Sequence, residues 1–458
     1  MREIRRKSRE SLALARTDPL TGLANRQGLE HAVSRLLAEG PVGAPLCVAF
    51  IDIDNFTLAN DAGGQAAGDA FLRSIASVIR AEAGEQAVLG RLSGDQFVLA
   101  LENIGPGDTE ALLRSITAAV REYRHAVGDS VISTTASIGG VGFRRGQVDY
   151  AEALRLADAA CATVKDIGGN RVQLTPYEEA AQAVEQRSET LRWAAKLDAA
   201  IREDHFSLFC QSIVPLQAAH GTRRHFEILL RMVDPRSGKL VLPSRFVHAA
   251  EKFKLGPRLD RHVVDMTLDW LERNPRALEQ VELCAINLCA ASVNDPGFTE
   301  FLKHRFAGSN VDPSRICLEI TETSAVRDLN DAQQFISSAK ALGLKLALDD
   351  FGAGFCSFAY LRRLDVDYFK IDGSFVKDLE SSPLSLSIVR SISNIARSID
   401  KLTIAEFVED DAVRLRLSQL GVDFGQGYGF DRPCPIDRYF LRPAPGGVSP
   451  PSIATGTG

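Results

Sequence analysis

The chain has 458 residues, enough for two domains, and its 45% apolar and 24% charged residues describe a folded globular protein rather than a disordered or fibrous one. A net charge of −6 and a pI of about 5.9 exclude a broad nucleic-acid surface. The one basic cluster, residues 2–9, reads as a charged lead-in to a helix. Eight cysteines scattered through apolar runs, with no Cys-x-x-Cys pair, read as small buried hydrophobes and exclude a zinc ladder or a disulfide framework. Without a signal peptide or an apolar run of membrane-spanning length, the expectation is a soluble, cytoplasmic protein.

In chain order, residues 1–16 read as a charged helix and 17–22 as a turn. A helix with Leu29, Val33, Leu36 and Leu37 near helical spacing follows. The apolar run 46–50 reads as a strand ending in Asp52 and Asp54. A loop holding Asn60, Asp61, Gly63, Gly64, Gly68 and Asp69 then leads into a helix over 70–79. The runs 88–92 and 97–100 flank Ser93, Gly94, Asp95 and Gln96 as a β-hairpin. Asp52 at a strand end and Asp95 in a turn are candidates to share one cation. Oxygen ligands of this kind suit Mg²⁺ or Mn²⁺, commonly completed by substrate phosphates.

Residues 176–200 read as a stiff helical link, with Leu191, Trp193 and Leu197 on one side. Beyond it, eight strand-like runs (208–214, 226–230, 283–288, 316–320, 344–348, 368–371, 402–405 and 424–428) alternate with amphipathic helices and predict a (β/α)8 TIM-type barrel. Gly343 and Gly421 mark helix exits before the next strand. The Pro/Gly/Ser/Thr tail beyond 441 reads as disordered. The strand-like runs end in polar groups: Gln211, Glu227, Asn287, Glu319 with Glu322, Asp349 with Asp350, Lys370 with Asp372, Glu406 with Glu409, and Gln426. One such Glu is usually a surface residue; the same pattern on eight strands argues for an acidic pocket at the carboxyl face of a barrel. The adjacent Asp349 and Asp350 repel unless one is protonated or a cation sits between them. Carboxylates with one Asn and no Cys or His describe a binuclear hard-cation site, suited to in-line attack on a phosphodiester. Lys370 inside that cluster would orient the attacking water or offset transition-state charge.

The first half resembles the GGDEF domain of diguanylate cyclases, an α+β fold. The carriers are TDPLTGLANR (17–26), DIDNFTLANDAGGQAAGD (52–69), RLSGDQF (91–97), ASIGG (136–140) and ADAACATVKDIGGNRV (157–172). The resemblance implies metal binding by Asp52 and Asp95, guanine contacts by Asn60 and Asp69, and a phosphate contact by Lys165. The signature itself is degenerate. Ser93 replaces its first Gly and Gln96 its Glu, Thr57 stands where a Lys is usual, Gly169 stands where a phosphate-binding Arg is usual, and the product-inhibition motif is missing at 84–87. Cyclase activity is therefore not expected. The domain is either a regulator that binds GTP with Mg²⁺ or a structural remnant.

The second half resembles the EAL family of cyclic di-GMP phosphodiesterases, carried by EILLR (227–231), INLC (286–289), LEITE (318–322), DDFGAGFCSFAYL (349–361), FKID (369–372), AEFVE (405–409) and QGYGFDRP (426–433). The resemblance implies two Mg²⁺ or Mn²⁺ ions held by Glu227, Asn287, Glu319, Asp349, Asp350 and Glu406, with Asp349 bridging. It also implies Lys370 on the attacking water, Glu406 assisting deprotonation, dinucleotide contacts from Gln211, Leu229, Arg231 and Gln426, and Glu322 holding the loop after Asp350. Four departures fall nearby: Ser212 for a Pro, Cys289 for a Ser, Ala353 for a Thr and Phe407 for a Gly. None removes an implied ligand, though Phe407 could shift Glu406 or occlude one face of the site. The expected organisation is a lead-in helix (1–16), a degenerate GGDEF domain (17–175), a helical linker (176–200), an EAL domain (201–441) and a tail (442–458). The expected function is hydrolysis of cyclic di-GMP to linear pGpG by a homodimer formed through the EAL domain, with GTP as a regulator. The alternative is a non-catalytic cyclic di-GMP receptor signalling to a protein partner.

Overall fold

A computed structural model describes residues 15–127, 130–217, 223–352 and 363–442. The expected lead-in helix up to residue 14, Ala353 with the rest of the 349–361 motif beyond Gly352, and the tail beyond 442 lie outside the described residues. The chain divides into two compact units, Met1–Glu189 and Thr190–Gly458.

In the first unit a five-stranded sheet is built from β1 (Pro45–Ile53), β2 (Val88–Ser93), β3 (Gln96–Glu102), β6 (Ala136–Arg144) and β7 (Val172–Pro176), in the order β2-β3-β1-β6-β7. The short strands β4 (His125–Val127) and β5 (Ser130–Ile132) pair separately. Every residue of β1 after Pro45 is buried, which is why it reads as a continuous apolar run: both faces of the sheet are covered. Alternation divides the strand between two cores. Cys47, Ala49, Ile51 and Ile53 enter one cluster with Phe71, Ile75 and Ile116; Leu46, Val48 and Phe50 enter another with Leu29, Leu156 and Cys161. Asp52 shares the parity of the second set.

Asp52 stands at the end of β1, as read from the sequence, one residue before Ile53 and paired in register with Gln96 and Ser137. One expectation is corrected in this unit. The expected loop around Asn60 and Asp69 belongs to one helix, Thr57–Ala83, whose non-helical backbone is confined to Gly63 and Gly64, the latter at φ +71. Glycines signal a loop, but here the Ala-rich flanks and the buried Ala59, Phe71 and Ile75 keep the segment helical on both sides of the break.

The helix Tyr177–Glu203 carries the chain from one unit into the next. The expectation that Leu191 shares a face with Leu197 fails: Leu191 is exposed and Leu197 buried, because six residues along a helix turn about 240° away from the starting face.

The second unit is a closed eight-stranded barrel. It runs through β8 (Phe206–Pro215), β9 (Arg224–Val233), β11 (Val281–Asn287), β12 (Ile316–Thr321), β13 (Lys345–Phe351), β14 (Tyr368–Ile371), β15 (Leu402–Ala405) and β16 (Phe424–Gln426), closing on β8. The short strands β10 (Leu240–Val241) and β17 (Cys434–Pro435) pair outside the ring with β9 and β8. Strands β9 and β11–β16 run parallel to their neighbours in the ring, whereas β8 is antiparallel to both β9 and β16. The reversal corrects the placing of Gln211 at a strand end. It lies mid-strand, opposite Glu227. Gly343 (φ +89) and Gly421 (φ +77) close the helices Leu329–Ala341 and Asp411–Gln419 in the left-handed conformation that glycine adopts without penalty.

Candidate active site

The barrel interior is layered by the two-residue period of its strands. One layer is apolar: Ile213, Ala285, Cys317, Ala347, Ile404 and Phe424 cluster together with Tyr368 against them. His225 joins it, with ring centroids 5.2 Å from Phe424 and 5.7 Å from Tyr368. Two residues further toward the carboxyl ends stand Glu227, Asn287, Glu319, Asp349, Lys370, Glu406 and Gln426. Gln211, two residues before Ile213 on the reversed strand, completes that layer.

Lys370 is its centre and is 1% exposed. Its Nζ lies 2.7 Å from Glu319, 2.9 Å from Glu406, 3.1 Å from Asp349 and 3.7 Å from Glu227. Burial opposes the ammonium's charge, but these four carboxylates outweigh it and hold its pKa well above the usual lysine range. The carboxylates remain in excess. Burial first, then Glu227 and Asp349, push Glu319 well above the carboxylate range despite Lys370. Burial, with Asp349 and Glu227, takes Glu406 up to about 7 against the pull of Lys370. Asp350 is raised by burial and by Asp349 beside it.

This donor set fits hard dications. Asp349, Asp350 and Glu406 each offer an oxygen within 4.8 Å of the others. The buried Glu319 Oε1 has no hydrogen-bond partner among the described residues. Asn287 donates its Nδ2 to Glu227 Oε1 at 2.5 Å, which leaves its carbonyl oxygen as the ligand atom.

Around this centre the polar side chains are tied together. Gln426 Nε2 donates to Glu227 Oε2 at 2.6 Å and to Gln211 Oε1 at 3.4 Å. Gln211 in turn donates to the Asp431 carbonyl at 3.0 Å. The Ser212 that stands in place of a Pro gives its backbone N–H and its Oγ to the Asp431 carboxylate at 3.2 and 2.6 Å, and its Oγ meets Tyr439 OH at 3.1 Å. Glu322, 2% exposed, accepts the Gly352 amide at 2.9 Å, next to the Asp350 backbone. A cavity of about 310 Å³ opens beside the carboxylates, lined by Gln211, Glu227, Leu229, Arg231, Glu406, Phe407, Gln426 and Tyr428, among others. A larger one, about 420 Å³, lies in the first unit at the Pro45 end of β1 and contains none of the candidate residues.

Sequence reasoning missed two supports. Asp431 falls inside a quoted motif, but its link to Ser212 crosses 219 positions and carries no local signal. Asp260, on the helix Gly256–Arg273, accepts the Cys289 amide at 2.8 Å and the Ser292 hydroxyl at 2.6 Å, and so anchors the turn after Asn287. Burial pushes the Asp260 carboxyl up to about 6, against those hydrogen bonds and the nearby Arg261. The unfolded chain therefore releases this proton first as pH rises. The stabilisation is complete below pH 3.8 and lost as pH passes about 6, a change on the order of 3 kcal/mol. Denaturant titrations at pH 4 and pH 7 are expected to show that loss in the wild type and a flatter profile in Asp260→Asn; equal slopes would contradict it.

In the first unit Lys165 Nζ sits 2.6 Å from Asp52 Oδ1. The helix Tyr150–Asp166 that carries it presses directly on β6, since a Cβ at Gly139 would meet the Cys161 nitrogen at 2.0 Å. Burial raises the Asp52 pKa, opposed by Lys165 and reinforced by Asp95 and Asp54. Asp95 lies in the turn between β2 and β3, where its carbonyl accepts the Ile53 amide at 3.2 Å. Asn60 and Asp69 lie on the kinked helix, with Asn60 Oδ1 packed against Gly68. The two substituted signature residues bond each other, Ser93 Oγ to Gln96 Oε1 at 3.2 Å. Asp54 is engaged with Thr135 (2.6 Å), Ser137 (2.7 Å) and the Asn170 amide (3.2 Å), beside Gly169.

A barrel whose carboxyl-end layer gathers acids around one lysine, preceded by a sheet unit in which the buried Asp52 pairs with the exposed Lys165, defines a two-domain α/β protein with an acidic cluster that could hold a metal ion. Comparison with known proteins names the class. Residues 15–171 match the diguanylate cyclase GGDEF domain and residues 194–433 the EAL domain, and the chain belongs to the GGDEF–EAL family. The cyclic di-GMP phosphodiesterase PdeB of Shewanella oneidensis is 34% identical over 433 residues, covering 93% of this chain and 49% of PdeB. MucR of Pseudomonas aeruginosa, a bifunctional diguanylate cyclase/cyclic di-GMP phosphodiesterase, is 31% identical over 94% of this chain and 62% of its own. The chain thus spans about half the length of PdeB. The FimX EAL domain of Xanthomonas citri, solved in complex with cyclic di-GMP, superposes with a TM-score of 0.50 at 28% identity over 56% of this chain and 97% of its own. No described helix is long and apolar enough to cross a membrane.

Proposed function

We propose that the barrel is a cyclic di-GMP phosphodiesterase that uses two Mg²⁺ or Mn²⁺ ions to produce linear pGpG, and that the first domain regulates it by binding GTP without cyclase activity. The observation that carries the reading is the intact oxygen donor set (Glu227, Asn287, Glu319, Asp349, Asp350 and Glu406) around the buried ammonium of Lys370. Those residues would hold the ions. When bound, the ions supply Lewis acidity toward a phosphoryl oxygen and toward water.

The remaining work falls to the chain's own groups. Gln211, Leu229, Arg231 and Gln426 line the cavity and bind the dinucleotide. Lys370, fixed by Glu319 and Glu406, would offset the negative charge on the non-bridging phosphoryl oxygens as water attacks and the P–O3′ bond breaks. Glu406 lines the same cavity, takes the proton released by the water and returns it to the departing O3′ to leave the 3′-hydroxyl of pGpG. Glu322 holds the Gly352 amide and so steadies the segment after Asp350. In the first domain Gln96 cannot supply the negative charge of the replaced Glu and is bonded to Ser93 instead, which supports loss of synthesis. Asp52, Asp95, Asn60, Asp69 and Lys165 are the groups that would meet GTP. The working form in this reading is a homodimer through the EAL domain.

The test is turnover of cyclic di-GMP by the purified chain with Mg²⁺ or Mn²⁺, with and without GTP, beside Glu227→Ala. Metal-dependent pGpG formation, absent in the variant, is expected, with stimulation by GTP that Asn60→Ala abolishes. GTP alone is expected to yield no cyclic dinucleotide. Tight binding of cyclic di-GMP without turnover under any condition would replace the enzyme by a receptor.

A further inference from the structure

We propose that Phe407 is a substrate-contacting residue whose ring packs against a nucleobase in the cavity beside Glu406; the inference rests on the phosphodiesterase reading and names a contact within it. The first observation is conformational. Phe407 has φ +53, the left-handed region that a bulky side chain rarely enters. Such backbone persists where the surroundings enforce it, and it clusters at functional sites. The surroundings here are explicit. The Glu406 amide donates to Ile371 O at 3.3 Å and the Val408 amide to Gln426 O at 2.9 Å, which fixes the chain on both sides of Phe407. The ring lies on Gly373, where an added Cβ would come 2.1 Å from Phe407 Cδ2. Lys377 Nζ stands 4.2 Å from the ring centroid. Glu406 keeps its 2.9 Å contact with Lys370, so the bulky residue is accommodated without drawing the carboxylate off the centre.

The second observation is exposure. A rigidly held aromatic is 51% exposed, and it forms part of the wall of the 310 Å³ cavity together with Tyr428, itself 56% exposed. Core packing does not account for a large apolar ring held open to the cavity. The other lining groups explain what it could meet. Gln211, Gln426 and Arg231 offer hydrogen bonds to the edge of a heterocycle, while the heterocycle's face needs an apolar aromatic surface. A ring in the cavity wall, next to the acids that would act on the phosphodiester, places a base contact beside the scissile group.

The experiment measures KM and kcat for cyclic di-GMP with Phe407→Gly, Phe407→Leu and Phe407→Tyr, and the affinity of each full-length variant for cyclic di-GMP in Ca²⁺. Loss of one base–aromatic contact is expected to raise KM and Kd about tenfold in Phe407→Gly, with kcat within about threefold, while Phe407→Tyr stays within about twofold of wild type. Phe407→Leu, which keeps bulk without the aromatic face, is expected to fall with the Gly variant. Unchanged or lower KM and Kd in Phe407→Gly, or a higher kcat, would overturn the proposal and mark the ring as an obstruction. A wild type without turnover defeats the phosphodiesterase reading alone, because the Ca²⁺ affinities still decide whether the ring contacts the dinucleotide.

Discussion

Lys370→Met is expected to lower cyclic di-GMP turnover by at least about a thousandfold and to destabilise the metal-free protein by about 3 kcal/mol. The chemical part follows from position: among the described residues the ammonium is the one positive group paired with Glu319, Glu406, Asp349 and Glu227, held at 2.7 to 3.7 Å. A neutral side chain of similar length removes the charge that would face the transition state while filling the same space. The stability part follows from burial. Glu319 and Lys370 are each 1% exposed, and removing one partner of a buried charge cluster leaves the others unpaired, the costly case for ionic groups in a protein interior. Added Mn²⁺ should restore much of the stability and none of the turnover. Measuring the urea midpoint and pGpG formation with and without Mn²⁺ checks both; turnover within tenfold of wild type would remove Lys370 from the chemistry.

Asp349→Asn is expected to weaken Mn²⁺ binding at both sites, by about a hundredfold or more overall, and to reduce turnover by about a thousandfold. The substitution preserves shape and leaves Oδ1 able to accept the Asp350 amide, a contact of 3.0 Å, so the backbone turn should survive. What disappears is the charge that faces both Lys370 and the Asp350–Glu406 oxygens. Calorimetric titration with Mn²⁺ should show both affinities lowered. Two ions retained at wild-type affinity would show that Asp349 does not bridge.

Much of the barrel was legible because its strands are buried runs with polar ends. The pattern Ala285–Asn287, Cys317–Glu319, Ala347–Asp349 and Ile404–Glu406 repeats one apolar and one polar inward position two residues apart, a periodicity that a single strand displays without reference to the others. Gly343 and Gly421 were legible for the same reason, since a helix exit in left-handed backbone is a local demand. The kinked helix carrying Asn60 and Asp69 was not, because glycine's local preference for a loop yielded to burial of residues on both sides. The reversal of β8 was also hidden: strand direction is set by which neighbours close the ring, and Gln211 looks the same in either direction.

By itself, then, the sequence determined the two-part α/β organisation, the barrel strands and the polar residue each contributes, since these depend on short-range periodicity and on motifs carried within single segments. Only the tertiary structure decided how those residues act on one another. That Lys370 sits inside four carboxylates from four strands, that Lys165 pairs with Asp52, that Asp260 and Asp431 hold the segments bearing Asn287 and Gln211, and that Phe407 turns through left-handed backbone without displacing Glu406 all depend on long-range closure. The physical reason is that charge–charge and hydrogen-bond energies depend on distances of a few ångströms, which the folded chain sets between positions far apart in sequence.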